Sequence, residues 1–213
     1  MHMKQAMPIV LILAAVMLGG VAFAARADDS SGADKAGAQT MVTHVCETCH
    51  GKQGNSTDPD VPSLAGQGSA YLQRQLAAFK AQRRVGVMSG IAMTLSDFDI
   101  RYAATYFSQQ ILQVDRNRTI DPGALTQGEA IYDDGIAAKG VPACASCHEL
   151  NGTGLSTEFP RLAGQHSRYI AGQLRAFRSD SRLSNPNAMM RKVSAKLSDD
   201  EIDAVAVYIE YLH

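Results

Sequence analysis

The pentapeptides Cys46-Glu47-Thr48-Cys49-His50 and Cys144-Ala145-Ser146-Cys147-His148 decide how this chain folds. Both follow the pattern CxxCH, and together they contain all four cysteines of the 213 residues. On a helix this spacing puts the two thiols about one turn apart, with an imidazole directly after the second thiol. Each motif therefore presents two sulfur atoms and one ring nitrogen to the same bound group.

Three kinds of chemistry use closely spaced cysteines: disulfides, structural zinc and c-type haem. Four cysteines in an exported protein ordinarily indicate two disulfides, and two CxxC pairs can form a zinc site. Neither interpretation uses the histidine that ends both copies. In c-type haem attachment the thiols form thioethers with the haem and the histidine faces the iron. The motifs therefore predict two covalently bound c-type haems, attached through Cys46, Cys49, Cys144 and Cys147.

The chain is also an internal duplication. At an offset of 98, residues 46–84 align with residues 144–182, and 16 of the 39 aligned positions are identical. The second copy then gains four residues, around positions 184–187, and the offset becomes 102. At this offset Met88 aligns with Met190, and each of them precedes a Leu-Ser-Asp sequence by seven residues. Each copy is therefore a complete unit.

The duplication and the N-terminal sequence divide the chain into four parts. Lys4, an apolar run at residues 9–16 and the sequence Ala25-Arg26-Ala27 are typical of a secretory signal peptide. A retained membrane anchor is the alternative, although the apolar stretch is barely long enough to span a bilayer. We predict a signal peptide at 1–27 cleaved after Ala27, a first domain at 28–112, a linker at 113–123 and a second domain at 124–213.

Composition excludes one class of partner and indicates that side chains alone do not fill the core of each domain. The formal net charge is −1, and removal of residues 1–27 takes away two basic residues, which leaves −3. This balance argues against a nucleic-acid partner. The chain has no tryptophan and only 6% aromatic residues. Because each domain has fewer than about 100 residues, side chains alone provide little core, and the haems are expected to supply it.

The coarse secondary structure is predicted to be helical throughout. A short helix leads to each CxxCH motif, a middle helix follows, and a last helix ends each domain. Ser69 and Ser167 are expected to be the N-caps of the middle helices. Ser96 and Ser198 begin the capping boxes of the last helices. The fold class is therefore all-α.

His50 and His148 supply one ligand to each iron, so a sixth ligand must come from elsewhere in the same domain. Met88 and Met190 are the only methionines that the repeat superimposes, which favours them over Met189 and Met93. The histidines outside the motifs have no matched partners in the other copy and are interpreted as surface residues: His44, His166 and His213.

A proline stands 12 residues after each ligand histidine, Pro62 in the first domain and Pro160 in the second. Its carbonyl is in a position to accept the Nδ1 hydrogen of the imidazole and orient the ring. The alternative is that the proline only shapes a turn. Spacing by itself does not choose between the two roles.

These ordered motifs resemble the cytochrome c4 family of dihaem cytochromes c, which are tandem class I cytochrome c domains of the bacterial periplasm. The resemblance covers the whole mature chain: CxxCH, Pro-x-Leu-Ala-Gly-Gln, a Tyr, Gln-Leu and Phe pattern, and Met before Leu-Ser-Asp, all present twice. It implies two domains related by a pseudo-twofold axis, each wrapped around a covalent haem. It also implies the axial pairs His50 with Met88 and His148 with Met190, and proline carbonyls that hold the histidines.

The expected function is outer-sphere electron transfer, because an iron with two protein ligands has no open position for a substrate. The resemblance implies that the carrier works between respiratory-chain components, with a quinol-cytochrome c reductase and a haem-copper terminal oxidase as partners, in loose association with the membrane. Two alternatives remain at this point. One is a dihaem enzyme resembling a peroxidase, with an open site at one iron, and the other is a cytochrome subunit of a larger dehydrogenase or oxidase complex.

Overall fold

Helices and turns form the described part of the chain, which is residues 30–114, 121–154 and 157–212 of a computed structural model. Within these ranges the β-type pairing is limited to two isolated bridges, Arg84 with Arg182 and Ile136 with Val141. The all-α prediction is therefore confirmed. The predicted signal peptide and most of the predicted linker lie outside the described residues.

The first domain consists of helices that lead into and surround the first CxxCH motif. They are α1 (Ser30–Met41), a π-helical turn (Val42–Cys46), α2 (Glu47–His50), a 3-10 turn (Lys52–Gly54), α3 (Ser69–Lys80), α4 (Val87–Thr94) and α5 (Asp97–Ser108). The first three segments are continuous, so a single helical rod ends at the ligand histidine.

The second domain repeats this order. Its elements are α6 (Pro122–Asp134), a 3-10 turn (Ala137–Lys139), α7 (Ala145–His148), α8 (Ser167–Arg178), a 3-10 turn (Pro186–Ala188), α9 (Met189–Ser194) and α10 (Asp199–Tyr211). Helix α6 begins at Pro122, inside the segment 113–123 that the sequence analysis assigns to the linker.

The approach to the CxxCH motif differs between the domains. In the second domain α6 ends at Asp134, and a loop stands between it and the motif. Gly135 and Gly140 have φ angles of 74° and 62°, a region that residues with a side chain rarely adopt. The loop closes on itself because the backbone groups of Ile136 and Val141 bond to each other at 2.9 and 3.1 Å. The expected helix leading directly into the motif therefore exists only in the first domain.

The capping boxes predicted for the last helices are confirmed. Ser96 Oγ accepts from the Asp99 N–H at 3.1 Å, and the Ser96 N–H donates to the Asp99 carboxylate at 2.9 Å. Ser198 and Glu201 make the same pair of bonds at 3.3 and 2.8 Å. Each box binds two backbone N–H groups at the start of its helix, one on the cap serine and one on the third helical residue.

The N-caps predicted for the middle helices are wrong. Gly68 and His166 cap α3 and α8 with their backbone carbonyls, and Ser69 and Ser167 are already the first helical residues. The carbonyls of the two caps accept from residues four positions later, at 3.0 and 2.9 Å. Because Ser69 is already inside the helix, its hydroxyl faces the next turn and accepts from the Gln73 side chain at 3.2 Å. The glutamine before each cap binds the cap N–H with its own side chain.

Helix α10 crosses α6 at close range and also packs against α8. Gly128 makes the close crossing possible, since a Cβ atom there would lie 2.2 Å from the Ala204 carbonyl oxygen and 2.7 Å from the Tyr208 Cβ. Neighbouring residues of both helices are fully buried, among them Tyr132 and Ile202, each at 0% exposure. The N-terminal and C-terminal helices of the second domain therefore form its main side-chain core.

The two domains meet through reciprocal hydrogen bonds. The Gln67 amide binds the backbone of Arg161 in the other domain, accepting from its N–H at 3.0 Å and donating to its carbonyl at 2.9 Å. Gln165 binds the backbone of Ser63 in the same two ways, at 2.9 and 2.9 Å. Because Gln67 and Gln165 are repeat equivalents, the contact has the exchange symmetry of a pseudo-twofold axis.

Substituting Gly128 by valine is expected to force α6 and α10 apart. The added side chain meets a backbone carbonyl rather than a flexible group, so we expect the free energy of unfolding to fall by about 2–3 kcal/mol, the upper range for overpacked cores. Denaturant unfolding of the haem-loaded protein, followed by circular dichroism, measures the change.

Gly172 provides the matched control, because it is exposed in the middle of α8 and a Cβ there meets nothing within 4 Å. Gly172→Ala is expected to stabilise the protein by up to about 1 kcal/mol through helix propensity. Equal effects of the two substitutions would contradict the close crossing.

Candidate functional site

The four cysteines of the CxxCH motifs line one cavity that extends through both domains, with a volume of about 1140 Å³. Cys46 and Cys49 lie in the first domain and Cys144 and Cys147 in the second, and no disulfide joins any of them. The disulfide alternative is therefore excluded.

The arrangement does not suit the zinc alternative. A structural zinc ion needs four ligands that converge on one point. In the described ranges, no group of three or more histidine, cysteine, aspartate or glutamate side chains is close enough to hold a metal. The two CxxC pairs belong to separate domains and do not form a joint site.

Each motif histidine is buried and held in one orientation. His50 and His148 are 6% and 5% exposed. Their Nδ1 atoms lie 2.8 Å from the Pro62 carbonyl oxygen and 3.0 Å from the Pro160 carbonyl oxygen. A carbonyl only accepts, so Nδ1 carries the hydrogen and Nε2 keeps its lone pair. Both imidazoles thus present an unprotonated Nε2.

Burial also keeps these imidazoles neutral. Desolvation lowers the pKa of His50 and of His148, and the hydrogen bond to the proline carbonyl opposes this effect only in part. A neutral imidazole with a fixed tautomer is the form that binds a metal ion. Both rings are therefore suited to act as nitrogen ligands of an iron.

Met88 and Met190 occupy equivalent positions on the same cavity. Each is the second residue of a short helix, Met88 in α4 and Met190 in α9. Both are half-buried and line the cavity together with His50 and His148. A thioether and an imidazole from each domain therefore face one continuous space.

The competing residues are placed differently. Met189 also lines the cavity but is 38% exposed, and Met93 is 57% exposed and lies outside the lining. Met41 stands on the attachment side, with its sulfur 3.4 Å from the Cys46 sulfur. His44 is exposed, as expected. The surface interpretation of His166 is wrong: its side chain is only 12% exposed, and its Nε2 donates to the Ser56 carbonyl across the domain boundary at 3.0 Å. His213 lies outside the described residues.

The cavity wall is mostly aliphatic and aromatic. In both domains the middle helix, the short methionine helix and the last helix contribute apolar side chains: Leu72, Leu76, Phe79, Ile91, Leu95 and Phe107 in the first domain, and Ile170, Leu174, Phe177, Val193, Leu197 and Ile209 in the second. A wall of this kind excludes water and suits a large flat apolar group.

Between the domains the wall changes to a buried polar cluster built around two arginines. Arg84 donates to Gln75 of its own domain at 3.0 Å, and to Tyr169 and Gln173 of the other domain at 2.6 and 2.8 Å. Arg182 repeats this pattern with Gln173, Tyr71 and Gln75 at 2.9 Å each. Each guanidinium also stacks on a phenylalanine of its own domain, with distances to the ring centre of 4.5 and 4.3 Å.

The arginine cluster carries two positive charges without a carboxylate partner. Arg84 and Arg182 are 7% and 5% exposed, and neither takes part in an ion pair between described residues. Burial raises the pKa of Tyr71, but the positive charges of Arg182 and Arg84 outweigh it and hold that pKa below its ordinary value. Buried charges normally require a partner of opposite sign.

These observations fit a c-type haem in each domain. The cysteines supply attachment points, the histidines supply nitrogen ligands, and the apolar wall matches the porphyrin. The arginine cluster, which the cavity reaches, matches the propionate carboxylates. Tyr71, Gln75 and Arg84 of this cluster recur as Tyr169, Gln173 and Arg182 in the aligned ranges 46–84 and 144–182, and the sequence motifs predict no role for them. Polar residues that recur at matched positions among apolar ones were the available signal.

Comparison with known proteins gives a consistent result. The cytochrome c family model matches residues 125–213. Cytochrome c4 of Pseudomonas aeruginosa is 40% identical over 208 residues, covering 96% of this chain and 98% of that protein. The crystal structure of reduced recombinant cytochrome c4 from Pseudomonas stutzeri superimposes with a TM-score of 0.75 at 40% identity, covering 84% of this chain and 98% of that one.

A relative with a different name is also similar along most of its length. The thiosulfate dehydrogenase electron acceptor of Thiomonas intermedia is 32% identical over 210 residues, covering 97% of this chain and 93% of that protein.

The arginine cluster yields a direct test. Arg84→Leu removes a buried guanidinium from three oxygen acceptors, two of them in the other domain. We expect the free energy of unfolding of the haem-loaded protein to fall by about 2–3 kcal/mol, because hydrogen bonds to charged groups contribute about 1.5–3 kcal/mol. Denaturant titration followed by haem absorbance measures the loss.

The adjacent Arg83 is the control, since its side chain is exposed while its backbone carbonyl accepts from Leu183 at 2.9 Å. Arg83→Leu removes the same charge and is expected to change stability by no more than about 0.5 kcal/mol. A loss as large as that of Arg84→Leu would show that charge, and not the cluster, is responsible.

Proposed function

The chain belongs to the cytochrome c4 family and carries covalently bound c-type haems, and from this premise we propose that it moves single electrons between respiratory proteins of the periplasm and delivers them to a terminal oxidase. The family members are electron carriers. The partners, the compartment and the residues at each iron are the parts that we add here.

The observation that carries the proposal is the matched pair of ligand sets on one cavity. His50 and His148 present Nε2, and Met88 and Met190 present thioether sulfurs from helices at equivalent positions. We assign His50 with Met88 to the first iron and His148 with Met190 to the second. Pro62 and Pro160 act as positioning residues through their carbonyls.

This ligand assignment decides the reaction class. A c-type haem supplies a one-electron iron couple when bound. Two protein ligands leave no position for a substrate, for oxygen or for peroxide, so the protein exchanges electrons without forming bonds to its partners. The thioether ligands favour the reduced state relative to a second imidazole.

The apolar wall and the shared cavity suit this role. Aliphatic and aromatic side chains keep water away from the bound groups, which limits the solvent rearrangement that accompanies a change of charge. The cavity is continuous from Cys46 and Cys49 to Cys144 and Cys147. Both proposed redox groups would then share this cavity, which would let an electron pass from one to the other within the chain.

The proposed compartment rests on the N-terminal sequence. Residues 1–27 have the pattern of a signal peptide with cleavage after Ala27, and haem-loaded CxxCH motifs match an exported protein. In the described part of the chain, no helix combines the length and the apolar character needed to cross a bilayer. Loose contact with the membrane surface brings the carrier to its partners.

The proposed partners are a quinol-cytochrome c reductase as donor and a haem-copper terminal oxidase as acceptor. Docking is expected to be brief and weak, as in other redox encounters. The similarity to a thiosulfate dehydrogenase electron acceptor supports a sulfur-oxidising dehydrogenase as a second candidate donor.

The axial methionines are tested by spectroscopy. The oxidised protein, with two haems per chain, is expected to show a methionine-to-iron charge-transfer band of two-haem intensity in the near-infrared and no high-spin signal. Met88→Ala and Met190→Ala are each expected to remove half of this band. A high-spin haem in the unmodified protein would overturn the six-coordinate assignment and favour the enzyme resembling a peroxidase.

Two further variants make this test specific. Met93→Ala removes an exposed thioether outside the cavity lining, and the full band is expected to remain. Met189→Ala distinguishes the adjacent methionine in the second domain, and the full band is again expected to remain. If Met189→Ala removes half of the band and Met190→Ala does not, the ligand of the second iron is Met189.

The partner proposal is tested with the reduced carrier. We expect the mature chain, beginning at Asp28, in the periplasmic fraction, and its rapid oxidation by membranes that contain a haem-copper oxidase. The rate should depend on ionic strength, because charge steers encounters of this kind. Parallel reduction assays use quinol with its reductase and thiosulfate with its dehydrogenase. Failure to react with the oxidase would contradict the proposed acceptor.

A further inference from the structure

One histidine of the second domain reaches across the boundary between the two domains. His166 caps α8, and its repeat equivalent is Gly68, so the first domain has no side chain at this position. The residue directly follows Gln165, whose amide binds the Ser63 backbone of the first domain. The side chain of His166 is only 12% exposed. The duplicated boundary therefore contains a mostly buried titratable ring in one copy only.

Both ring nitrogens of His166 face oxygen acceptors. Nε2 lies 3.0 Å from the Ser56 carbonyl oxygen of the first domain, and Nδ1 lies 3.5 Å from a carboxylate oxygen of Glu210 in α10. A neutral imidazole carries one N–H, whereas an imidazolium carries two. The neutral ring therefore satisfies one of these oxygens at a time, and Glu210 competes with the domain contact for the single hydrogen. The protonated ring satisfies both.

The charged side chains beside this contact in the chain have partners of their own. Arg168, two residues further along α8, binds the Asp60 carboxylate of the first domain at 2.7 Å. Asp58 follows Ser56 in the same turn, and its carboxylate accepts the Asp60 N–H at 2.9 Å. These groups hold the turn and the start of α8 in place, and their charges offset each other.

The second domain contributes one anion to the ring. Of the acidic side chains that the structure describes, only Glu210 comes within ion-pair distance of a nitrogen of His166. Arg161, in the loop before α8, donates from Nε to the Ala163 carbonyl at 3.3 Å. The ring thus stands between a neutral carbonyl of one domain and a carboxylate of the other.

We propose that His166 is a pH-dependent latch between the two domains, which holds the first domain more tightly when its imidazole is protonated. The imidazolium donates to Ser56 and to Glu210 together, and a hydrogen bond from a charged donor is about twice as strong as one from a neutral donor. Histidine changes its charge between about pH 5 and pH 8. The inference goes beyond the proposed function, because it concerns the domain boundary and not the ligands of the irons.

Proton linkage gives the direction of the effect. Unfolding separates the ring from Ser56 and Glu210, so the folded chain retains the proton that the latch uses more readily than the unfolded chain does. The latch therefore stabilises the folded protein at low pH, and this contribution is lost as the pH rises.

Replacing the ring by an amide removes the titration and keeps a donor for the Ser56 carbonyl. In the haem-loaded protein we expect His166→Gln to raise the equilibrium constant for unfolding about tenfold at pH 5.5 and no more than about twofold at pH 8, because charged hydrogen bonds contribute more than neutral ones. Denaturant titration followed by haem absorbance measures both values. In a Glu210→Gln background the effect at pH 5.5 should fall to about threefold, since the two side chains are coupled.

A second measurement reports on the boundary itself. The Ser63 N–H donates to the Gln165 amide across the domains at 2.9 Å, so its hydrogen exchange requires the boundary to open. After correction for the intrinsic effect of pH on exchange, we expect His166→Gln to lower the protection of this N–H about tenfold at pH 5.5 and no more than about twofold at pH 8.

His44→Gln is the matched control. His44 is an exposed histidine of the first domain, so the substitution is expected to change the unfolding constant and the protection of Ser63 by the same small factor at both pH values.

The outcomes are distinct. Equal effects of His166→Gln at pH 5.5 and pH 8 would overturn the latch. A pH-dependent loss of stability without a loss of Ser63 protection would place the effect inside the second domain and overturn it as well. Haem content and the methionine-to-iron band are expected to stay unchanged in all these variants, so the proposed function is tested separately.

Discussion

The structure depends on an apolar space that the side chains surround but do not fill. In the first domain the tightly buried apolar cluster contains only five residues, Val42, Leu72, Ala103, Ala104 and Phe107. Leu72 and Phe107 of this cluster also line the cavity, together with further large side chains such as Phe79 and Leu95. Protein interiors are normally packed as densely as organic crystals, so these domains are complete only with their covalent haems.

The charge of the missing group also explains the domain interface. Two guanidiniums at the centre of the molecule, Arg84 and Arg182, are bound by neutral oxygens from both domains and have no carboxylate among their partners. Such a cluster is unfavourable alone and favourable beside anionic propionates. The cofactors thus help to hold the domains together, and the reciprocal bonds of Gln67 and Gln165 set the axis about which they meet.

Duplication made two similar sites, and small departures make them unequal. The added residues at 184–187 bring Asn185 to the second cavity, and the first has no counterpart. After the motifs, Gly51 of the first domain has φ 74°, and Glu149 of the second adopts φ 68°. A glycine takes this conformation without strain, whereas a glutamate holds it only because the surrounding structure requires it.

The sequence by itself determined the helical class, the duplication, the covalent haems and the capping boxes at Ser96 and Ser198, because each depends on residue types at fixed short spacings. It also named the histidines and methionines that the tertiary structure brings to one cavity. It misassigned the caps at Ser69 and Ser167, since each helix begins one residue earlier and both serines are already helical. Only the tertiary structure decided that the two cavities join and that the two buried arginines lack carboxylate partners. Those features depend on atoms brought together from positions about 100 residues apart, and no local pattern records such distances.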